Sequence, residues 1–311
     1  MTFLATLLAM EKESEYHVPV LLEESIEYLI TDLSGIYIDA TYGGGGHSKR
    51  ILQRITAKGR LFGFDQDGAV FPNLIRDDRF EFVHSNFEHI SRYMTFFGIS
   101  QVDGVLADLG VSSHHLDDLK RGFSIRSSAE LDMRMNETNS LTAKDILNTY
   151  EEMDLVQILS EYGEVRNSKT LAKAIVNARN VQPFASVDRF VEFLNRYVIG
   201  DWHRYQVQVF QALRIELNKE LDVLKSLMLS AAEVLKPGGR LVILSYHSLE
   251  DRIVKNFIKA GNFTGKVEQD DYGNILRPLR EVKPKLITPS KEELIKNSRS
   301  ASAKMRIAEK I

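Results

Sequence analysis

Four apolar runs rich in β-branched and aromatic residues, Ile36–Ala40, Leu61–Asp65, Phe80–His84 and Val105–Asp108, crowd into the first 110 residues. Segments of helix length lie between them, including Ser48–Ile55 and Ala69–Ile75. Closely spaced strands that alternate with helices cannot form hairpins and instead pair in parallel through crossovers. The crossovers are right-handed by default, because a right-twisted strand feeding a helix packs back onto its sheet only that way. The reading is therefore an α/β fold built on a doubly wound, mainly parallel sheet.

The alternation stops after Asp108. From about His114 to about Arg214 the apolar residues recur with helical period, as in Leu155, Ile158 and Leu159 or Leu171 and Ile175. This stretch reads as a helical domain inserted into the sheet domain. The expected boundaries are 1–113 for the first part of the sheet domain, 114–214 for the insertion and 215–311 for the second part. A long amphipathic helix near Leu217–Leu235, stopped by Lys236-Pro237-Gly238-Gly239, then leads into a strand at Arg240–Tyr246. At the start, the apolar run Phe3–Met10 is far short of the roughly 20 residues that a membrane span requires. Residues 1–15 read as a frayed extension, and no membrane association is expected.

The turn after the first strand carries the strongest local signal. Asp39-Ala40-Thr41-Tyr42 leads into four consecutive glycines, Gly43 to Gly46, and then His47. Glycines between a strand and a helix let backbone approach a nucleotide-like ligand closely. Ser48 stands where a dinucleotide fingerprint wants glycine or alanine, and the lysine with Ser/Thr of a P-loop is missing. Asp65, at the end of the second strand, lies where a carboxylate can accept hydrogen bonds from both ribose hydroxyls, and capping of a βα turn is its other reading. Phe87, just past the third strand, could cover an adenine face or pack in the core. His47, at a helix start, could meet a cofactor or simply cap the helix. His17, His84, His89 and His203 read as structural or surface groups, and adjacent His114 and His115 would point apart in an extended segment, which disfavours a metal pair. No metal site is expected.

Composition narrows the chemistry further. The chain has no cysteine, which removes disulfides, thiolate metal sites and cysteine nucleophiles and fits a reducing cytoplasm. Net charge is −3, yet Val165–Ile215 holds 8 Lys/Arg against 3 Asp/Glu, and Leu276–Ile311 holds 10 against 4. Two basic stretches in an acidic chain read either as solvated faces or as surfaces for a polyanion. Arg166, Lys169 and Lys173, spaced by three and four, would share one face of a helix.

Several ordered runs together resemble one family: His17-Val18-Pro19-Val20-Leu21-Leu22, Gly43–Ser48, Asp108-Leu109-Gly110-Val111-Ser112-Ser113, Arg121-Gly122-Phe123-Ser124, Leu131-Asp132-Met133-Arg134-Met135, Phe210–Arg214 and His247-Ser248-Leu249-Glu250-Asp251-Arg252. They are similar to the bacterial RsmH, or MraW, family, and the likeness runs from His17 to Lys310. The resemblance implies a Rossmann-like class I methyltransferase with an inserted helical domain, working in the cytoplasm with S-adenosyl-L-methionine. Its implied substrate is the exocyclic N4 amine of a cytosine in the decoding region of 16S ribosomal RNA, within the small subunit. The implied cofactor contacts are Gly45, Gly46, His47, Asp65, Phe87, Asp108 and the position held by His115. Where the family motif commonly continues Ser-Ser-Pro-Gln, this chain reads Ser112-Ser113-His114-His115, which puts an imidazole in place of a glutamine amide.

Asp108, at the carboxyl end of the fourth strand, has two open roles. It could accept a proton from the poorly nucleophilic cytosine amine, or it could hydrogen-bond the amino-acid end of the cofactor. His247, Ser248, Glu250 and Asp251 follow the fifth strand and read equally as a border of the target base or as a capped helix start. Two other functions fit the residues taken without the resemblance: a nicotinamide-dependent oxidoreductase using the same glycine loop and Asp65, and a non-catalytic RNA-binding assembly factor.

Overall fold

The structure is a computed structural model that describes residues 19–112 and 117–311. The expectations for residues 1–15, His17, His114 and His115 fall outside the described residues.

Seven strands form one sheet: β1 (Ile36–Asp39), β2 (Arg60–Asp65), β3 (Phe80–His84), β4 (Val102–Asp108), β5 (Leu235–Ser245), β6 (Leu279–Glu281) and β7 (Lys304–Lys310). Their order across the sheet is β3-β2-β1-β4-β5-β7-β6. The first five pair in parallel, with Ile38 opposite Phe62 and Val105, while β7 runs antiparallel to both β5 and β6. The chain divides into two compact units, one made of residues up to Gly110 together with Leu227–Ile311, the other of Val111–Ser226.

In the sheet unit both faces of the central strands are buried, which explains their near-continuous apolar runs. Leu61, Leu106, Val242 and Leu244 join α1 (Leu22–Leu29) and α2 (Gly46–Arg54) in one core through Ile26, Leu29, Ile51 and Leu52. On alternate residues, Phe62 and Phe64 meet Phe97 and Tyr93 of the α3 region (Ile90–Phe96), with ring centroids 5.1 and 5.8 Å apart. The segment expected as a helix at Ala69–Ile75 is a 3₁₀ helix, Gly68–Asn73, with Pro72 inside it. Proline lacks the donor that a longer α-helix needs, and Tyr42 Oη donates to Asn73 O and accepts from Ile75 N instead.

The Lys236–Gly239 segment does not end the preceding helix in a separate turn; it lies within β5. Leu235 pairs with Val102, the register shifts, and Arg240 rejoins opposite Gly104. Gly238 at φ +81° makes that excursion possible. The helix before it also starts later than its apolar pattern suggests: Lys219 takes a left-handed conformation, ending one helix at Asn218 before the next begins at Glu220.

The second unit is helical: α4 (Ala143–Thr149), α5 (Glu152–Glu161), α6 (Ser168–Val181), α7 (Val187–Leu194), α8 (Trp202–Asn218) and the start of α9 (Glu220–Val234). Its core gathers Leu155, Ile158, Leu159, Leu171, Ile175 and Phe190, the residues on the apolar stripes. Runs that the sequence singled out here do structural work. Arg121, buried, donates to Arg134 O, and Gly122 is left-handed at φ +72° with Glu130 O 2.4 Å from where a Cβ would sit. The helices α10 (Ser248–Ala260) and α11 (Lys291–Lys296) belong to the sheet unit. No helix among the described residues is long and apolar enough to cross a membrane.

Candidate active site

The carboxyl ends of β1, β2, β4 and β5 meet along one edge of the sheet, where a parallel sheet places its ligands. The glycine loop is stitched to this edge by backbone. Tyr42 N donates to Phe64 O at 2.8 Å, and Gly43 N donates to Asp65 Oδ2 at 2.8 Å. Gly43 and Gly45 have φ of +50° and +74°, conformations that favour glycine. Internal packing alone accounts for two of the glycines: a Cβ on Gly45 would strike the Tyr42 ring, and one on Gly46 would lie 2.2 Å from Pro19 Cγ.

Asp65 is half-buried, and Asp67 N donates to its other oxygen at 2.9 Å. Two backbone donors fix the carboxylate's orientation. The loops after β2 and β3 are joined by Asn86 Nδ2 donating to Gln66 Oε1 at 3.0 Å. Phe87 follows directly and is half-buried at the start of a short 3₁₀ turn that Asn86 caps.

Asp108 lies at the end of β4. Its backbone N–H donates to Thr41 Oγ1 at 2.7 Å, and Tyr246 Oη donates to its Oδ1 at 2.6 Å. Its Oδ2 sits 4.0 Å from His47 Nδ1, and its side chain is 23% exposed. Burial pushes its pKa up to about 6 against the favourable charge of His47 and the Tyr246 hydrogen bond, and the nearby Asp39 and Glu250 push the same way as burial. His47 is 5% exposed, with Nε2 3.3 Å from Val20 O, so it faces inward rather than capping its helix. Burial lowers its pKa, which favours a neutral imidazole.

Two groups here, Asp39 and Tyr246, carried no role in the sequence. Asp39 is fully buried, accepting from Ser48 Oγ at 2.6 Å and Thr41 N at 3.2 Å, and burial raises its pKa to about 6. It clamps the two sides of the glycine loop. Tyr246 holds Asp108, and Glu250 accepts from Tyr246 N at 2.8 Å. The signal for Asp39 was its place as the last residue of the strand before the loop; nothing local marks Tyr246. Glu250 and His247 form the capping box of α10, and Asp251 pairs with Arg306 at 2.6 Å, so the capped helix start is the role the structure gives this run.

The sheet order, with an antiparallel β7 between β5 and β6 and a glycine loop after β1, defines a class I methyltransferase. The description "MraW methylase family" matches residues 14–311, and the chain belongs to that family. Among curated relatives, "Ribosomal RNA small subunit methyltransferase H" of Bacteroides fragilis (strain YCH46) is 50% identical over 301 residues, covering 96% of this chain and 99% of the relative. The proteins of the same name from Bacteroides thetaiotaomicron and Flavobacterium johnsoniae are 51% and 49% identical, each covering 97% of this chain and all of the relative. The chain is thus an S-adenosylmethionine-dependent methyltransferase, and the edge fits that cofactor: a backbone-lined loop, an oriented carboxylate for a diol and an aromatic beyond β3.

Proposed function

We propose that this enzyme methylates the exocyclic N4 amine of a cytosine in 16S ribosomal RNA, acting on the small subunit in the cytoplasm. Gly45, Gly46, His47, Asp65, Phe87 and Asp108 hold the cofactor, together with His115 outside the described residues. When bound, S-adenosylmethionine supplies a methyl group already activated on a sulfonium. What remains for the chain is alignment of the amine and removal of its proton.

The observation that carries this reading is the Asp108 carboxylate: one oxygen is engaged by Tyr246, and the other lies 4.0 Å from His47. The lone pair of a cytosine amine is delocalised into the ring. An acceptor on its N–H returns density to nitrogen as the N–C bond forms, and the proton passes to Asp108 Oδ2. The absence of cysteine supports nitrogen over the ring carbon. The helical unit is the insertion, and its exposed cations supply the backbone contacts to RNA. The test is incubation of the enzyme with isolated small subunits and methyl-labelled cofactor, followed by digestion to nucleosides. Label in N4-methylcytidine is expected; label in 5-methylcytidine, or none in RNA, would overturn the proposal.

A further inference from the structure

The helical unit carries an exposed indole close to several exposed cations. Trp202, the chain's only tryptophan, opens α8 and is 58% exposed. Its aromatic neighbour among the described residues is His203, with the two ring planes at 87°. Ile199, just before it, is 49% exposed. The turn that bears Arg166 is tied to this place through Asn167, whose Nδ2 donates to Tyr197 O at 2.9 Å and whose Oδ1 accepts from Tyr205 Oη at 3.0 Å. Tyr205 lies one turn along α8 from Trp202. Arg166 and Arg196 are next in sequence to the two groups so joined, and Lys169 follows Arg166 by one turn; all three are exposed, and none forms an ion pair among the described residues. The acid beside Trp202, Asp201, is engaged in capping, accepting from Arg204 N at 2.7 Å.

An exposed indole costs hydration free energy, and clustered unpaired cations repel one another; a polyanion with flat apolar faces relieves both. We infer that this surface binds a single-stranded segment of RNA, one base stacking on Trp202 while Arg166, Lys169 and Arg196 meet flanking phosphates. The inference rests on the RNA-methyltransferase reading and extends it to how substrate is held. Single strands are favoured because a paired base presents its edges, not its face.

Because Trp202 is the sole tryptophan, its emission reports on its own stacking. The full chain is titrated with a single-stranded RNA of about 12 nucleotides, with the same sequence as a duplex, and with polyglutamate. Saturable quenching by the single strand is expected, with little by the other two. Labelled-RNA anisotropy with Trp202→Ala should show affinity about 10-fold weaker, with Trp202→Phe recovering most of it and cofactor affinity within about twofold. If RNA binds and is methylated but emission is unmoved and Trp202→Ala binds within about twofold of the parent, this inference falls and the function stands. Equal quenching by duplex or by polyglutamate also overturns it. If neither protein binds RNA, the function itself fails.

Discussion

Asp65 and Asp108 occupy similar places at the carboxyl ends of β2 and β4, on either side of β1, yet their surroundings assign them different work. Asp65 is oriented by two backbone N–H groups, a fixed acceptor suited to ground-state binding. Asp65→Ala should therefore weaken S-adenosylmethionine binding by about 10- to 100-fold, the loss of charge-assisted bonds worth about 1.5–3 kcal/mol, as read by isothermal titration. Unchanged affinity would remove Asp65 from the site. Asp108 has a pKa of about 6 and faces a buried imidazole. As a proton acceptor it must be ionised, and burial raises its pKa, so activity should be full above pH 6 and fall as pH drops through about 6. Asp108→Asn should lower single-turnover methyl transfer by about 100-fold or more, far more than it weakens cofactor binding, because the lost interaction strengthens mainly in the transition state. Equal losses in rate and affinity would mark Asp108 as a cofactor contact only.

At the scale of elements, strongly periodic or strongly apolar segments were legible and irregular ones were not. Strands β1 to β4 and the stripes of α5 and α6 follow directly from residue pattern, because burial of a face imposes its period. The 3₁₀ turn at Gly68–Asn73 and the excursion of β5 at Lys236–Gly239 depend on what each backbone group finds to pair with, which local pattern does not encode. Helix α6 shows the same limit: it begins at Ser168, so Arg166 sits in the preceding turn while Lys169 and Lys173 lie on the helix. All three are exposed. Replacing them with alanine should flatten the slope of log RNA affinity against log salt by about 0.7 per lost phosphate contact, with cofactor affinity held within about twofold. A triple variant with the parental slope would make this face merely solvated.

For the whole molecule, the carboxyl-terminal strands matter most and were least visible. β7 pairs with β5 from Arg240 opposite Glu309 to Ser245 opposite Lys304 and buries Met305, Ile307 and Ala308 in the sheet. Ile307→Ala should cost about 2–5 kcal/mol of stability, seen as a lower urea midpoint, because it opens a cavity in a packed sheet face. A shift worth under about 1 kcal/mol would mean that β7 is peripheral. The sequence by itself determined the alternating strands and helices, the glycine loop with Asp65 beyond it, the periodic helical stretch and the cysteine-free chemistry, since each is written in spacing or residue type. Only the tertiary structure decided that β7 slips antiparallel between β5 and β6, that Asp39 clamps the loop, and that Tyr246 reaches Asp108 across 138 residues of chain. Those outcomes depend on which distant groups satisfy one another's hydrogen bonds once buried, and no local period records that choice.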